Sequence, residues 1–293
     1  MQLRLIAAFL ATLLLGMAGC GGTQTAQTTT HGGEIKQQST EPFDPANFDR
    51  STVIDNQWLP LKPGTRLVWD GTWIDAEGDE ESRQVVFTVT DLTKEIGGVH
   101  AVVCWEKDIA DGELEEAEIA FFAQDKDGTV WNLGEYPEVY KDGRFSEARC
   151  WIHGLENAKA GIIMKAEPKM GAPSYSQGWG PKVNWTNRGV VYQMGQKVKV
   201  PFGSYEDVLV IDETDREEPN AHHLKYYARG VGNIRVGWRG EDKTKETLEL
   251  IKLEQLSAEE LADARDAALR LDKRGYEISK DVYAHTTPAQ RLP

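Results

Sequence analysis

Short runs of alternating and β-branched residues, cut at regular intervals by tight-turn signals, constrain this chain more than any other feature. Arg66–Ile74, Arg83–Thr90, Val99–Ile109, Glu113–Gln124 and Thr129–Leu133 each read as a strand. Between them lie Asp75–Asp79, Asp111-Gly112 and Asp125–Gly128, residue types that reverse a chain within a few positions. A second block, Arg188–Leu253, holds Val190–Val200, Tyr205–Asp212, His223–Ala228, Asn233–Gly237 and Thr247–Glu254. Strands at this spacing predict a mainly β fold. The expected form is a twisted antiparallel sheet closing into a half-barrel or barrel.

The flanks follow other rules. Residues 21–41 (GGTQTAQTTTHGGEIKQQSTE) contain almost no large apolar side chain, so they cannot bury enough surface to offset their ordering entropy. As a flexible coil they reach about 25 Å, a tether. Glu156–Asn187, rich in Gly and Pro, reads as a long connection between the two strand blocks. Ser257-Ala258-Glu259-Glu260 has the capping-box pattern, and Leu261, Ala264, Ala268 and Leu271 then fall on one helical face. With Gly275 as the stop, the expected helix is narrow-striped and packs on the sheet or in a partner's groove. The expected partition is a signal peptide over 1–19, tether 20–41, β-domain 42–256, C-terminal helix 257–274 and polar tail 275–293.

The N-terminus supplies an address. Arg4 precedes an apolar run, Leu5–Leu15, which is too short to span a bilayer and ends in Met17-Ala18-Gly19-Cys20. Ala-Gly-Cys resembles the bacterial lipobox, whose cysteine is acylated and becomes the new N-terminus. Cys20 is therefore the expected lipidation site, which places the mature chain in the cell envelope, outside the cytoplasm. Residues 1–19 hold Arg4 and no acid, so their removal takes the formal charge from −14 to −15. Such an acidic excess excludes phosphate-neutralising nucleic-acid binding and polybasic membrane attachment. Attachment then falls to the lipid. The other two cysteines, Cys104 and Cys150, are expected to form a disulfide in an oxidising compartment. Two free buried thiols, or a zinc site with His100 and His153, are the alternatives.

Few residues point to chemistry. No Gly-x-Ser-x-Gly, His-Glu-x-x-His, phosphate loop or dinucleotide fingerprint occurs, and neither a catalytic residue nor a cofactor is assigned. His222-His223 would face opposite sides of a strand. Acid clusters at Glu77–Glu81, Glu113–Glu118 and Asp212–Glu218 read as solvated turn surface. Of the nine tryptophans, Trp179 and Trp185 fall in the Gly/Pro-rich connection. There they are candidates for a ligand platform or a lid, against simple loop anchoring.

Two stretches carry a family resemblance. Val198–Val210, with Val200-Pro201-Phe202-Gly203-Ser204-Tyr205, is similar to a hairpin of secreted bacterial β-proteins of unknown function. Tyr226–Ile234 resembles the strand–Gly-x-Gly–strand element that follows it there, and Leu59–Gly64 fits the same pattern. The resemblance covers about residues 56–256 and includes TapB-like envelope proteins. It implies a sheet wrapped around a helix or apolar groove and carries no catalytic residues. Together these readings predict a non-catalytic envelope lipoprotein that binds a small apolar ligand. Docking of a partner protein through the C-terminal helix is the alternative, and an extracytoplasmic hydrolase ranks last.

Overall fold

The computed structural model describes residues 39–292 and, apart from these, two two-residue strands, Ile6–Ala7 and Leu10–Ala11. Cys20 and its expected lipidation lie outside the described residues, as do the cleavage site and most of the tether. The expected antiparallel sheet is present. Its strands are β1 (Thr65–Ile74), β2 (Glu80–Ile96), β3 (Val99–Ala110), β4 (Glu113–Gln124), β5 (Val130–Lys141), β6 (Arg144–Ala148) and β7 (Trp151–Ile152). The connection adds β8 (Gly161–Met164) and β9 (Tyr175–Ser176). The second block gives β10 (Arg188–Val200), β11 (Gly203–Thr214), β12 (Ala221–Ala228), β13 (Gly232–Gly240) and β14 (Thr247–Gln255). Helix α1 (Ala258–Ile278) and strand β15 (Gln290–Arg291) complete the chain.

The spatial order is β8-β5-β4-β3-β2-β1-β14-β13-β12-β11-β10-β9, every neighbouring pair antiparallel. The two strand blocks therefore form one sheet, joined where β1 pairs with β14. Its ends share no ladder, so the sheet stops short of a closed barrel. One antiparallel bridge, Lys159 with Trp179, links them through two hydrogen bonds of 2.8 and 2.9 Å. At this seam a Cβ on Gly161 would sit 2.0 Å from the Gly178 nitrogen, so the backbones can approach only because that side chain is missing.

Curvature creates two cores. The inner one draws on both blocks, from Leu67, Trp69, Phe87 and Phe122 to Ile211, Tyr227, Val236 and Leu250, which requires the sheet to wrap around its own face. Segment Ile54–Leu61 closes one end with buried Trp58 and Leu59. Asn56 fixes that segment, donating to the carbonyls of Gly128 and Lys165 and accepting from the amides of Trp58 and Leu59.

The outer core lies behind β2–β5, where Leu92, Ile119, Phe121, Leu133 and Tyr136 meet Ala268 and Leu271 of α1 and Tyr283 of the tail. The capping box forms as the sequence predicts, Ser257 with Glu260. However, the helix runs through Gly275 to Ile278. Gly275 serves packing instead, since a Cβ there would meet the Tyr283 ring at 2.4–2.8 Å. Nor is the tail structureless: Tyr283–His285 forms a 3-10 turn and β15 pairs with Leu92 and Thr93 of β2. Among the described residues, no helix is long and apolar enough to cross a membrane.

Candidate functional site: a carboxylate array on the inner face

Side chains alternate along a strand, so residues two apart share a face. On β3, Val102 and Cys104 belong to the inner core, which puts Glu106 and Asp108 on the same face. On β4 the same parity takes Ala120 and Phe122 to Glu118 and Glu116. The register sets these acids opposite one another, Glu106 against Glu118 and Asp108 against Glu116. Like charges in directly opposed positions destabilise a sheet. Glu135 joins from β5, opposite Ala120, and Glu246 from the residue before β14. All six are buried.

Arg83, at the inner end of β2, is the cation among them. It is ion-paired with Asp108, with Glu246 at 3.0 Å and with Glu115 at 3.4 Å, and it stacks over the Trp73 ring at 5.0 Å. Glu135 accepts the indole N–H of Trp151 at 2.8 Å. Glu118, only 1% exposed, accepts no hydrogen bond at either carboxylate oxygen.

Burial penalises the charged forms, and the neighbouring acids add to that penalty. The Glu116 and Glu118 carboxyls are held well above the ordinary range by burial first and then by each other's neighbours. Burial pushes Glu135 up to about 8 against the Trp151 bond, and Asp108 up to about 7 despite Arg83. Burial and mutual repulsion thus favour the protonated forms of these carboxyls.

The second block contributes Glu213, Lys225 and His223 to the same inner face, through the register Ile211–Lys225–Val236 and Glu213–His223–Trp238. Gln177 donates to Glu213 at 2.7 Å. Burial raises Glu213, while Lys225 opposes the rise.

These positions overturn the surface reading of two acid clusters. Glu116 and Glu118 lie mid-strand facing inward, and Asp212 and Glu213 are 3% exposed. Period-two alternation continuing from Val102–Cys104 and into Ala120–Phe122 was the available signal, and charge composition masked it.

The structure separates other expected site residues. Cys104 and Cys150 are free buried thiols, so the expected disulfide is not formed. Cys104 faces the inner core and Cys150 the outer, and the sheet lies between them. Trp179 and Trp185 are each 3% exposed and form no open platform. Trp179 makes the seam bridge. Trp185 stacks on Trp151, ring centroids 5.7 Å apart, and pairs with Gly180. His222 Nδ1 donates to the Asp212 carboxylate on the outer face at 2.8 Å, whereas His223 faces inward towards Asp242, as strand alternation predicts.

No known protein family matches the sequence, and no curated protein matches it. Two solved structures show likeness. One is a protein from Bacteroides fragilis, inferred to be exported and with a YmcC-like fold, at 11% identity and TM-score 0.36, covering 68% of this chain and 99% of that one. The other, inferred to be a lipoprotein, comes from Parabacteroides distasonis, at 13% identity and TM-score 0.30, covering 68% and 100%. Likeness at this level assigns neither family nor function.

Proposed function

We propose that the mature chain is a lipid-anchored protein of the extracytoplasmic cell envelope that binds a small molecule on the inner face of its sheet. The address rests on the signal-like run before Cys20, on the polar stretch after it and on the TapB-like resemblance of residues 198–210 and 226–234. Binding rests on one observation: buried carboxylates opposed in register, Glu106 with Glu118 and Asp108 with Glu116. Such pairs cost stability, and residues that break a local rule without a packing gain mark functional sites. The apolar part of the ligand would meet Trp69, Phe87 and Phe122, with Trp185 as a candidate wall through its stack on Trp151.

Native mass spectrometry of protein purified from its own membrane tests both halves. Acylated Cys20 and a stoichiometric small-molecule adduct are expected. A bare polypeptide would sink the binding half, and a Cys20→Ala protein still in the membrane fraction would sink the anchor.

A hydrolase is the second reading, because carboxyls protonated near neutral pH, such as Glu135, can act as general acids. Turnover that disappears in Glu135→Gln would favour it. Docking through Ser257–Arg274 is less supported, since Ala264, Ala268 and Leu271 already spend that helix's apolar stripe on the sheet.

A further inference from the structure

We infer that the tip of the β10–β11 hairpin is a hinged flap over Trp69, and that its opening admits an apolar molecule to the inner core. The first half stands on the structure alone, and the second rests on the binding reading above.

The hinge is visible in the ladder. Arg188–Val191 of β10 pair evenly with Thr214–Ile211 of β11. Three register shifts follow, between Val191 and Gln193, Gln193 and Gln196, and Gln196 and Val198. Regular pairing resumes at the tip, where Val198–Val200 meet Tyr205–Gly203. Gly195 (φ 71°) and Asp207 (φ 55°) are both left-handed, and each directly precedes a member of the Gln196–Val208 pair. Both strands therefore bend at one level, on residue types that tolerate that conformation. Strand β12 pairs with β11 from Leu209 to Glu213, so the tip beyond Asp207 shares no ladder with it.

The flap has an inside and an outside. Val198, Val200 and Val208 belong to the inner core, whereas Lys197 and Lys199 alternate with the first two at the surface. The tip crosses to β14, where the Phe202 amide donates to the Leu250 carbonyl at 3.0 Å. Leu250 pairs with Trp69, whose indole donates to the Asn233 carbonyl at 3.1 Å. Strands β13 and β14 pair through Arg235–Glu249 and Val236–Leu248, and Asn233 and Leu250 lie just past that short ladder. The hairpin tip thus covers the place where these strands part, with Trp69 beneath it.

A closed inner face needs an element that moves. Trp69, Phe87 and Phe122 are each no more than 2% exposed, so no molecule reaches them in this arrangement. Two elements cover this end, and they are held unequally. Segment Ile54–Leu61 is fixed by the four hydrogen bonds of the Asn56 side chain and by Gln124, which accepts from the Asp55 and Asn56 amides. Among the described residues, the polar ties from the hairpin tip to the rest of the sheet are the Phe202–Leu250 bond and an exposed ion pair, Arg229 with Asp207 at 3.0 Å. Surface pairs of this kind add little, so the hairpin is the element that gives.

Thiol labelling of the detergent-solubilised mature lipoprotein tests the flap. Val200→Cys places a thiol on its inner side, and buried Cys104, also in the inner core but on β3, is the reference within the same molecule. A water-soluble maleimide is expected to label the introduced thiol about tenfold or more faster than Cys104, in protein whose melting curve matches wild type. Equal rates would mean that only global unfolding exposes either thiol, and would overturn the flap. Val198→Cys replaces a Val200 variant that does not fold. If neither folds, wild-type hydrogen exchange decides: the Phe202 amide should exchange about tenfold faster than the Gly230 amide, which donates to Gln57 at the same end. Equal exchange there would overturn the flap too.

Entry is read separately, by stopped-flow tryptophan fluorescence with n-hexanol as the apolar probe. Uptake is expected to reach a limiting rate that no longer rises with hexanol concentration, because opening precedes binding. A rate that rises without limit would overturn the flap as the route. Fast labelling without hexanol uptake would sink the binding reading and leave the flap, and slow labelling with uptake would do the reverse.

Discussion

The two strand blocks of this sheet bury themselves differently. Strands β2–β5 are covered on both faces, inward by the shared core and outward by α1 and the tail. Strands β10–β13 share the inner core but, among the described residues, have no helix behind them, and Tyr192 remains 37% exposed with Arg239 over its ring at 4.8 Å. A sheet covered twice can tolerate charge on one face because the other supplies the stability. The acid array sits in the block that has this second support. Opposed carboxylates, which weaken a sheet, are best tolerated where packing is deepest.

The largest test of this contrast is deletion of residues 257–293. It exposes Leu92, Ile119, Phe121 and Tyr136, and a loss of about 5 kcal/mol or more is expected. Hydrogen exchange should show protection lost in β2–β5 before β10–β13; uniform loss would mean the blocks fold as one unit.

Lys94 follows in size. Its buried ammonium donates to Asp272 at 2.8 Å, Tyr276 at 2.8 Å and the Thr287 carbonyl at 2.6 Å, with the Tyr283 ring at 4.3 Å. Burial lowers its pKa, and Asp272 partly restores it. Lys94→Met strands a buried carboxylate, so chemical denaturation should report a loss of about 3–5 kcal/mol.

Acidity gives a third effect. Asp108 and Glu135 rise from 3.8 and 4.5 to about 7 and about 8 on folding. The folded state therefore binds more protons than the unfolded one across this window, and stability falls as pH rises from about 5 to 8. Glu135 alone accounts for about 2–4 kcal/mol of that fall, each pKa unit being worth about 1.4. Glu135→Gln should flatten the slope; an unchanged slope would remove Glu135 from the array.

The smallest effect belongs to the single-faced block. Tyr192→Ser removes one exposed cation–π contact, and its melting temperature should move by no more than about 0.5–1 kcal/mol of stability allows. A larger loss would show that this outer face carries weight.

Much of this architecture was legible in the sequence. The Asp111-Gly112 turn, the strand blocks and the Ser257–Glu260 cap all follow from local chemistry, which nearby residues decide. What was hidden depends on distant partners. Gly275 looked like a helix stop because its missing Cβ has two uses, and only the position of Tyr283 shows which one applies. The cysteines looked like a pair because two remain once Cys20 is assigned to lipid, and parity cannot be followed from β3 to Cys150 across the bulged strands between them. Glu116 and Glu118 looked solvated because acids are mostly at surfaces. Their alternation with Ala117 and Ile119 placed them on one face but did not say which face was closed.

The Lys159–Trp179 bridge has a mechanical meaning. A hoop welded all round has a fixed bore, but this one is fastened by a two-bond clasp. Opening the clasp breaks two backbone hydrogen bonds and leaves every ladder in place. The Lys159 and Trp179 amides are therefore expected to exchange with solvent ahead of their ladder-paired neighbours.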